Sequence, residues 1–251
     1  MNHSKTVVSV FLAVSALLAC ASSDNSSEKY PDVTAFCSAK ATEECTQVSS
    51  ICGATADVCK TKRADACKTF AAAASARKYT PSYVQPCLDK TKEVYAKRVI
   101  TPDDIKAMND TCGRVFQGSG IRGGACKTDF DCSGAFVCDK DVCDTKVVKQ
   151  KGDGCANAGE VCDKGSFCQD AKRCAAKKTS GETCDAKAPC VEDLRCQAGT
   201  CAARVGSGEL CGSDDDCAPS APFCDKSGAS PKCLAGIVYA PATPYCKDFG
   251  G

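Results

Sequence analysis

The sequence predicts a small disulfide-rich fold: N-terminal α-helical hairpins, about four helices, followed by four short disulfide-stapled repeats built of short β-strands and turns. Three observations carry this expectation. Of 251 residues, 25 are cysteine, a density that in an exported chain marks a disulfide scaffold. Apolar stripes at helical spacing run through residues 31–118. From 119 to 235 the cysteines recur four times in one register.

The composition narrows the alternatives. The closest cysteines, Cys138 with Cys143 and Cys196 with Cys201, are five positions apart. No C-x-x-C occurs, which removes the basis for a zinc ribbon or a thioredoxin-type site. There is no Trp, and aromatics are only 6%, so a large apolar core is not expected and covalent staples are. A formal charge of +1 makes no electrostatic case for nucleic acid or for an anionic membrane surface.

Residues 1–20 read MNHSKTVVSVFLAVSALLAC. Lys5 is a short basic segment, and Thr6 to Ala19 is an apolar run of 14 residues. That is too short for a bilayer span and right for a signal peptide. Its end, Leu17-Leu18-Ala19-Cys20, resembles the lipobox of bacterial lipoproteins. The resemblance implies that Cys20 becomes the mature N-terminus, carries a diacylglyceryl group and anchors the chain to a membrane. Ala21 in place of Asp implies delivery to the outer membrane. Ordinary secretion with cleavage after Ala21 is the alternative, since Ala19-Cys20-Ala21 also fits a small-x-small site. Either route leaves 24 cysteines, an even number. Residues 21–30 are expected to be a flexible tether, because the stretch ASSDNSSEK is polar and lacks apolar periodicity.

Residues 31–118 are expected to form a cysteine-stapled helical domain. Thr80-Pro81 and Thr101-Pro102 read as helix starts, with Thr capping and Pro in the first helical position. Asp103 and Asp104 suit the positive end of the second dipole. After Thr80, the residues Val84, Cys87, Leu88, Thr91, Val94 and Tyr95 share one face; after Thr101, Ile105, Met108, Cys112, Val115 and Phe116 do so. Upstream, Val33, Cys37, Ala41, Cys45 and Val48 form one stripe. Cys59, Cys67, Phe70 and Ala74 form another, interrupted by Arg63.

Each repeat places a Gly three positions before its first cysteine: Gly123, Gly152, Gly181 and Gly208. The repeats span about 123–147, 152–177, 181–203 and 208–235. An apolar residue sits just before the third cysteine each time, at Phe136 and Val137, Phe167, Leu194 (one residue further back) and Phe223, and is expected to be the miniature core. The Gly is expected to supply a turn with positive φ. The first and fourth copies, GGACKTDFDCSGAFVCDKDVC and GELCGSDDDCAPSAPFCDKSGASPKC, resemble the N-terminal cysteine-rich repeat of Dickkopf proteins. The second and third copies depart from it, with Val161 and Pro189 before the second cysteine. The repeats also look similar to those of surface lipoproteins of Gram-negative bacteria; because the motif is mostly cysteine spacing, this is a resemblance of scaffold, with no binding residue to transfer.

No constellation of catalytic residues emerges. The single histidine, His3, lies in the signal peptide, so neither a Ser-His-Asp nor a Cys-His nucleophile can be assembled. Gly118 to Gly124 reads as a linker and not as a phosphate cradle. Asp214-Asp215-Asp216 lacks the alternating ligands of a calcium loop. Lys140 and Lys226 sit where an inhibitor would carry a reactive residue, although surface lysines are the expected background. No cofactor or metal is expected.

Four cysteines allow three connectivities in each repeat. First-to-third with second-to-fourth is preferred over neighbour pairing because it interlocks the loops and restrains more of the unfolded chain. It gives Cys126–Cys138, Cys132–Cys143, Cys155–Cys168, Cys162–Cys174, Cys184–Cys196, Cys190–Cys201, Cys211–Cys224 and Cys217–Cys233. Upstream, Cys45 and Cys59 each lie seven residues from Cys52, and Cys37 and Cys67 each lie fifteen away. A turn at Cys52 brings together Cys45–Cys59 and Cys37–Cys67. Cys87 and Cys112 are level across a turn near Ile100, which favours Cys87–Cys112. Cys52 and Cys246 remain. Their pairing, Cys52–Cys246, would fold the tail 236–251 back onto the helices, whereas Cys246 within the last repeat is the competing arrangement.

The expected protein is therefore a non-enzymatic, surface-anchored lipoprotein with a structural, adhesive or partner-binding role. Its partner would be a protein or glycan at the cell surface. A secreted disulfide-rich inhibitor or effector is the alternative, and an enzyme with an unrecognised carboxylate pair a third.

Overall fold

Among the described residues four α-helices lie in the N-terminal part of the chain, and short strands make up most of the regular structure after them. The computed structural model describes residues 29–74, 77–241 and 243–251. The signal peptide, Cys20 and all but the last two tether residues lie outside the described residues. Tyr30, assigned above to the tether, belongs to the body. It is only 6% exposed, shares a core with Phe36 and Leu88, and its carbonyl accepts from the Tyr79 hydroxyl at 3.0 Å.

Helices α1 (Val33–Ile51) and α2 (Ala56–Ala73) are capped by Asp32 and Thr55, whose side chains accept from Ala35 and Val58 amides. Gly53, at φ +70°, turns the chain between them. Cys37–Cys67 and Cys45–Cys59 bridge the two helices. Helices α3 (Val84–Tyr95) and α4 (Pro102–Gly113) are joined by Cys87–Cys112. At α4 Thr101 and Asp104 form a reciprocal capping box. Thr80 behaves differently: it caps nothing with its side chain, and Pro81–Tyr83 form a 3-10 turn before α3 begins. Strands β1 (Lys78–Tyr79) and β2 (Phe116–Gln117) pair antiparallel behind the helices.

The α3 face from Val84 to Tyr95 is buried throughout. The α2 stripe is not, because Phe70 lies 54% exposed. Glu44 of α1 takes the interior instead, together with Arg63, the residue that interrupts the α2 stripe.

The repeats share one hydrogen-bond plan. The third and fourth cysteines sit directly opposite each other in an antiparallel hairpin: β3–β4 (Val137–Asp139, Val142–Asp144), β7–β8 (Ser166–Gln169, Arg173–Ala176), β9–β10 (Leu194–Gln197, Thr200–Ala203) and β11–β12 (Phe223–Asp225, Lys232–Leu234). The amides of Gly123, Gly152, Gly181 and Gly208 donate to the carbonyl of the fourth cysteine in each copy, at 2.7–2.9 Å. All four glycines have φ between +82° and +96°. A Cβ there would meet nothing within 4 Å, so backbone conformation and not space requires glycine. Before each copy the incoming chain pairs parallel with the segment at the second cysteine. In the second copy this pairing lengthens to β5 (Val147–Lys149) on β6 (Glu160–Cys162).

After the fourth repeat the chain returns to the helices. Ile100 and Ile237 exchange backbone hydrogen bonds of 2.9 and 2.8 Å. Gly236 allows this approach, since a Cβ would lie 2.3 Å from the Ile100 carbonyl oxygen. Cys246 bonds to Cys52, and Phe249 packs edge-on against Tyr95 and Tyr239. Helix α4 has the first repeat on one side, where Phe130 covers Gly113. Nearer the start of the helix, Ile105 and Lys106 share a cavity with Asp214 and Phe223 of the fourth. The repeat array is therefore an arc that begins and ends on the same helix.

Replacing Cys52 and Cys246 together by Ala should release the tail and cost about 2–4 kcal/mol of stability. Hydrogen exchange should rise in 244–249 while the four repeat hairpins keep their protection; unchanged exchange in the tail would show that packing alone holds it.

Candidate functional site

Sulfur chemistry is consumed by structure. Twelve disulfides engage all 24 cysteines of the described residues, in the pairs Cys37–Cys67, Cys45–Cys59, Cys52–Cys246, Cys87–Cys112, and first-to-third with second-to-fourth in every repeat. Directly opposed positions of a hairpin share a face, so the third and fourth cysteines both point at the first and second. Three sulfurs in each repeat consequently lie within 4.8 Å of one another. This cluster resembles a thiolate metal site in outline, but each sulfur already has its covalent partner. It is also the repeat's core: Cys126, Cys132 and Cys143 are buried, whereas Phe136, Val137, Phe167, Leu194 and Phe223 are only partly covered. The expectation of an apolar miniature core is corrected to a core of crossed cystines.

The acidic turns are likewise structural. Asp131 accepts from the amides of Lys127 and Thr128 at 2.9 and 2.8 Å, and from Arg77 Nε at 2.9 Å. Asp216 repeats the pattern with the amides of Gly212 and Ser213 and with Arg195 Nη1 at 2.6 Å. Asp129 and Asp214 each receive the amide of the third cysteine, Cys138 and Cys224, at 2.7 and 2.6 Å. In each acidic turn an arginine from the preceding part of the chain clasps the repeat. Burial pushes the Asp131 carboxyl up, but the amides of Lys127 and Thr128 and the Arg77 guanidinium outweigh it and bring it to about 2. The second copy has Val161 here and is held differently, by Lys140 Nζ donating to the carbonyls of Cys155 and Asn157, both at 2.8 Å. That engagement ties Lys140 to the second repeat. The amides of Gly118, Gly120, Gly123 and Gly124 all donate to carbonyls, and a Cβ on Gly118 would lie 2.0 Å from the Asp131 carbonyl oxygen. The glycine-rich segment is thus packed backbone against the first repeat.

One cleft unites residues from separate parts of the chain. It has a volume of about 430 Å³ and lies between α1, α2, α4 and the first repeat. Phe36, Phe70, Phe116 and Phe130 form its apolar walls, with Phe116 edge-on to both Phe36 and Phe70, at 5.9 and 6.1 Å. Phe130 reaches the cleft because Gly113 has no side chain; a Cβ there would lie 2.2 Å from the ring. Lys40 and Arg63 also line the cleft. Behind them sits Glu44, only 1% exposed, accepting from Lys40 Nζ and from Arg63 Nε at 2.6 Å. Burial pushes its carboxyl up, yet the two cations prevail and hold it below the usual carboxylate range. Two cations against one carboxylate leave a net positive charge at this edge of the cleft. Sequence periodicity singles out Phe70, Cys112 and Phe116 as core positions and Arg63 as an interruption, but does not join them into one site.

In comparisons with protein families, curated proteins and solved structures, the chain has no match.

The Arg77 clasp gives a pH dependence with a definite sign. Because the Asp131 carboxyl falls from 3.8 to about 2 on folding, its contribution is complete above about pH 4 and is lost as pH falls through about 2. Amide exchange in 127–132 should therefore accelerate across that window, and Asp131→Asn should show the faster exchange already at pH 5. Exchange in that turn indifferent to both changes would refute the clasp.

Proposed function

We propose that this chain is a non-enzymatic, surface-anchored lipoprotein whose disulfide-framed body binds a partner outside the cell. The observation that carries the reading is that twelve bridges engage 24 of the 25 cysteines, while the other, Cys20, closes a lipobox-like sequence. So many disulfides belong to an exported or extracellular protein. No described helix is long and apolar enough to cross a membrane, so attachment would rest on acylated Cys20. The outer membrane is the proposed destination, on the strength of Ala21 after the cysteine.

In this reading the two helical hairpins, α1–α2 and α3–α4, form the base that the repeats return to. The repeats keep their likeness to the Dickkopf N-terminal repeat as scaffold only. A body closed by Cys52–Cys246 suits presentation of a fixed surface better than a rod reaching outward. The partner would be a protein or glycan at the cell surface, with structural and adhesive roles included.

The anchor is tested by fractionation. Cys20→Ala should move the chain from the membrane to the soluble exported fraction, and the wild-type N-terminal peptide should carry acyl mass on Cys20. A mature chain beginning at Ser22 without acyl mass would replace this reading by a secreted protein.

A further inference from the structure

Among the cavities, the cleft at Phe36, Phe70, Phe116 and Phe130 is the one whose walls and charge specify a ligand. Its volume of about 430 Å³ falls in the range of small-molecule sites, roughly 300–1,000 Å³. The walls are aromatic, and Phe70 stands 54% exposed at the cleft. Covering an exposed Phe is favourable by the hydrophobic effect, so an apolar body gains by entering.

The charged edge sets the sign of the ligand. Glu44 is held by two cations, Lys40 and Arg63, and the residues lining the cleft include no carboxylate. A lysine ammonium has three donors, and Glu44 engages one of them here. Arg63 gives Nε and Nη2 to Glu44, while its guanidinium stacks on Phe249 at 4.8 Å. Both cations are thus fixed in place before any ligand arrives, which lowers the ordering cost of binding. An anion complements the surplus charge, and a cation would be repelled. Asn109 adds an amide to the lining.

We propose that this cleft binds a small apolar monocarboxylate, with its ring or chain among the four phenylalanines and its carboxylate toward Lys40 and Arg63. The inference does not depend on lipid anchoring and applies equally to the body cleaved from its leader. It also requires the first repeat, since Phe130 supplies one wall.

The test is an NMR or calorimetric titration of the disulfide-intact body with 4-phenylbutyrate, using 4-phenylbutanol as the uncharged counterpart. The acid should bind saturably at one site and at least about tenfold more tightly than the alcohol at low salt, equivalent to about 1.4 kcal/mol. Lys40→Gln should remove most of that preference without weakening the alcohol, and Lys40→Arg should restore it. Phe70→Ser, at an exposed position, should weaken both ligands with the fold intact. Equal binding of acid and alcohol, or no saturable binding of either, would overturn the proposal. A dimer in sedimentation that Phe70→Ser dissociates, with no phenylbutyrate binding, would overturn it in favour of a second copy as occupant.

Discussion

The bridge between Cys52 and Cys246 is the constraint on which the arrangement of the molecule rests. It joins positions 194 residues apart and returns the end of the repeat array to the tip of the first helix pair. Around it, Phe249 packs on Tyr95 and Tyr239, and Ile237 exchanges hydrogen bonds with Ile100. With both ends of the array on α4, its reach outward is limited. The cleft between the helices and the first repeat lies within this closed frame.

Within the array, cystine replaces apolar packing. A unit of under thirty residues buries too little surface to fold by packing alone, and these units bury sulfur. Crossed bonds in each repeat fix one strand of the hairpin to the first cysteine and the other strand to the second. The same amide of the repeat glycine then meets the same carbonyl four times. Neighbouring modules are joined more weakly and less uniformly. Arg77–Asp131 and Arg195–Asp216 hold the first and fourth copies, whereas the second relies on Lys140 and on the parallel pairing of β5 with β6. Such clasps are partly exposed ion pairs and polar contacts, each worth little alone, so the closing disulfide and the tail packing bear most of the responsibility for the arc.

What was legible in the sequence follows from periodicity and spacing. Val84, Cys87, Leu88, Thr91, Val94 and Tyr95 lie on one side of a helix because 3.6 residues make a turn, and all are buried. The Thr101 start carries a local capping signal that needs no tertiary information. Thr80 carries a similar signal but opens a 3-10 turn; its amide donates to the Val115 carbonyl, next to β2, and its side chain caps nothing. Glu44 reads as an ordinary surface charge and is buried, since its partners lie four residues away on α1 and nineteen away on α2. Phe70 reads as core and is exposed, at the mouth of the cleft that it lines with Phe116 and Phe130. The cleft has no single sequence signature; it arises where α1, α2, α4 and the first repeat meet.

The covalent map of the native chain tests the closed disulfide frame most directly. Digestion without reduction, followed by mass spectrometry of the linked peptides, should yield one species joining the Cys52 peptide to the Cys246 peptide, alongside crossed pairs confined to each repeat. A map in which Cys246 is linked to Cys211, Cys217, Cys224 or Cys233 would contradict the closed frame, because no covalent bond would then return the end of the array to the helices.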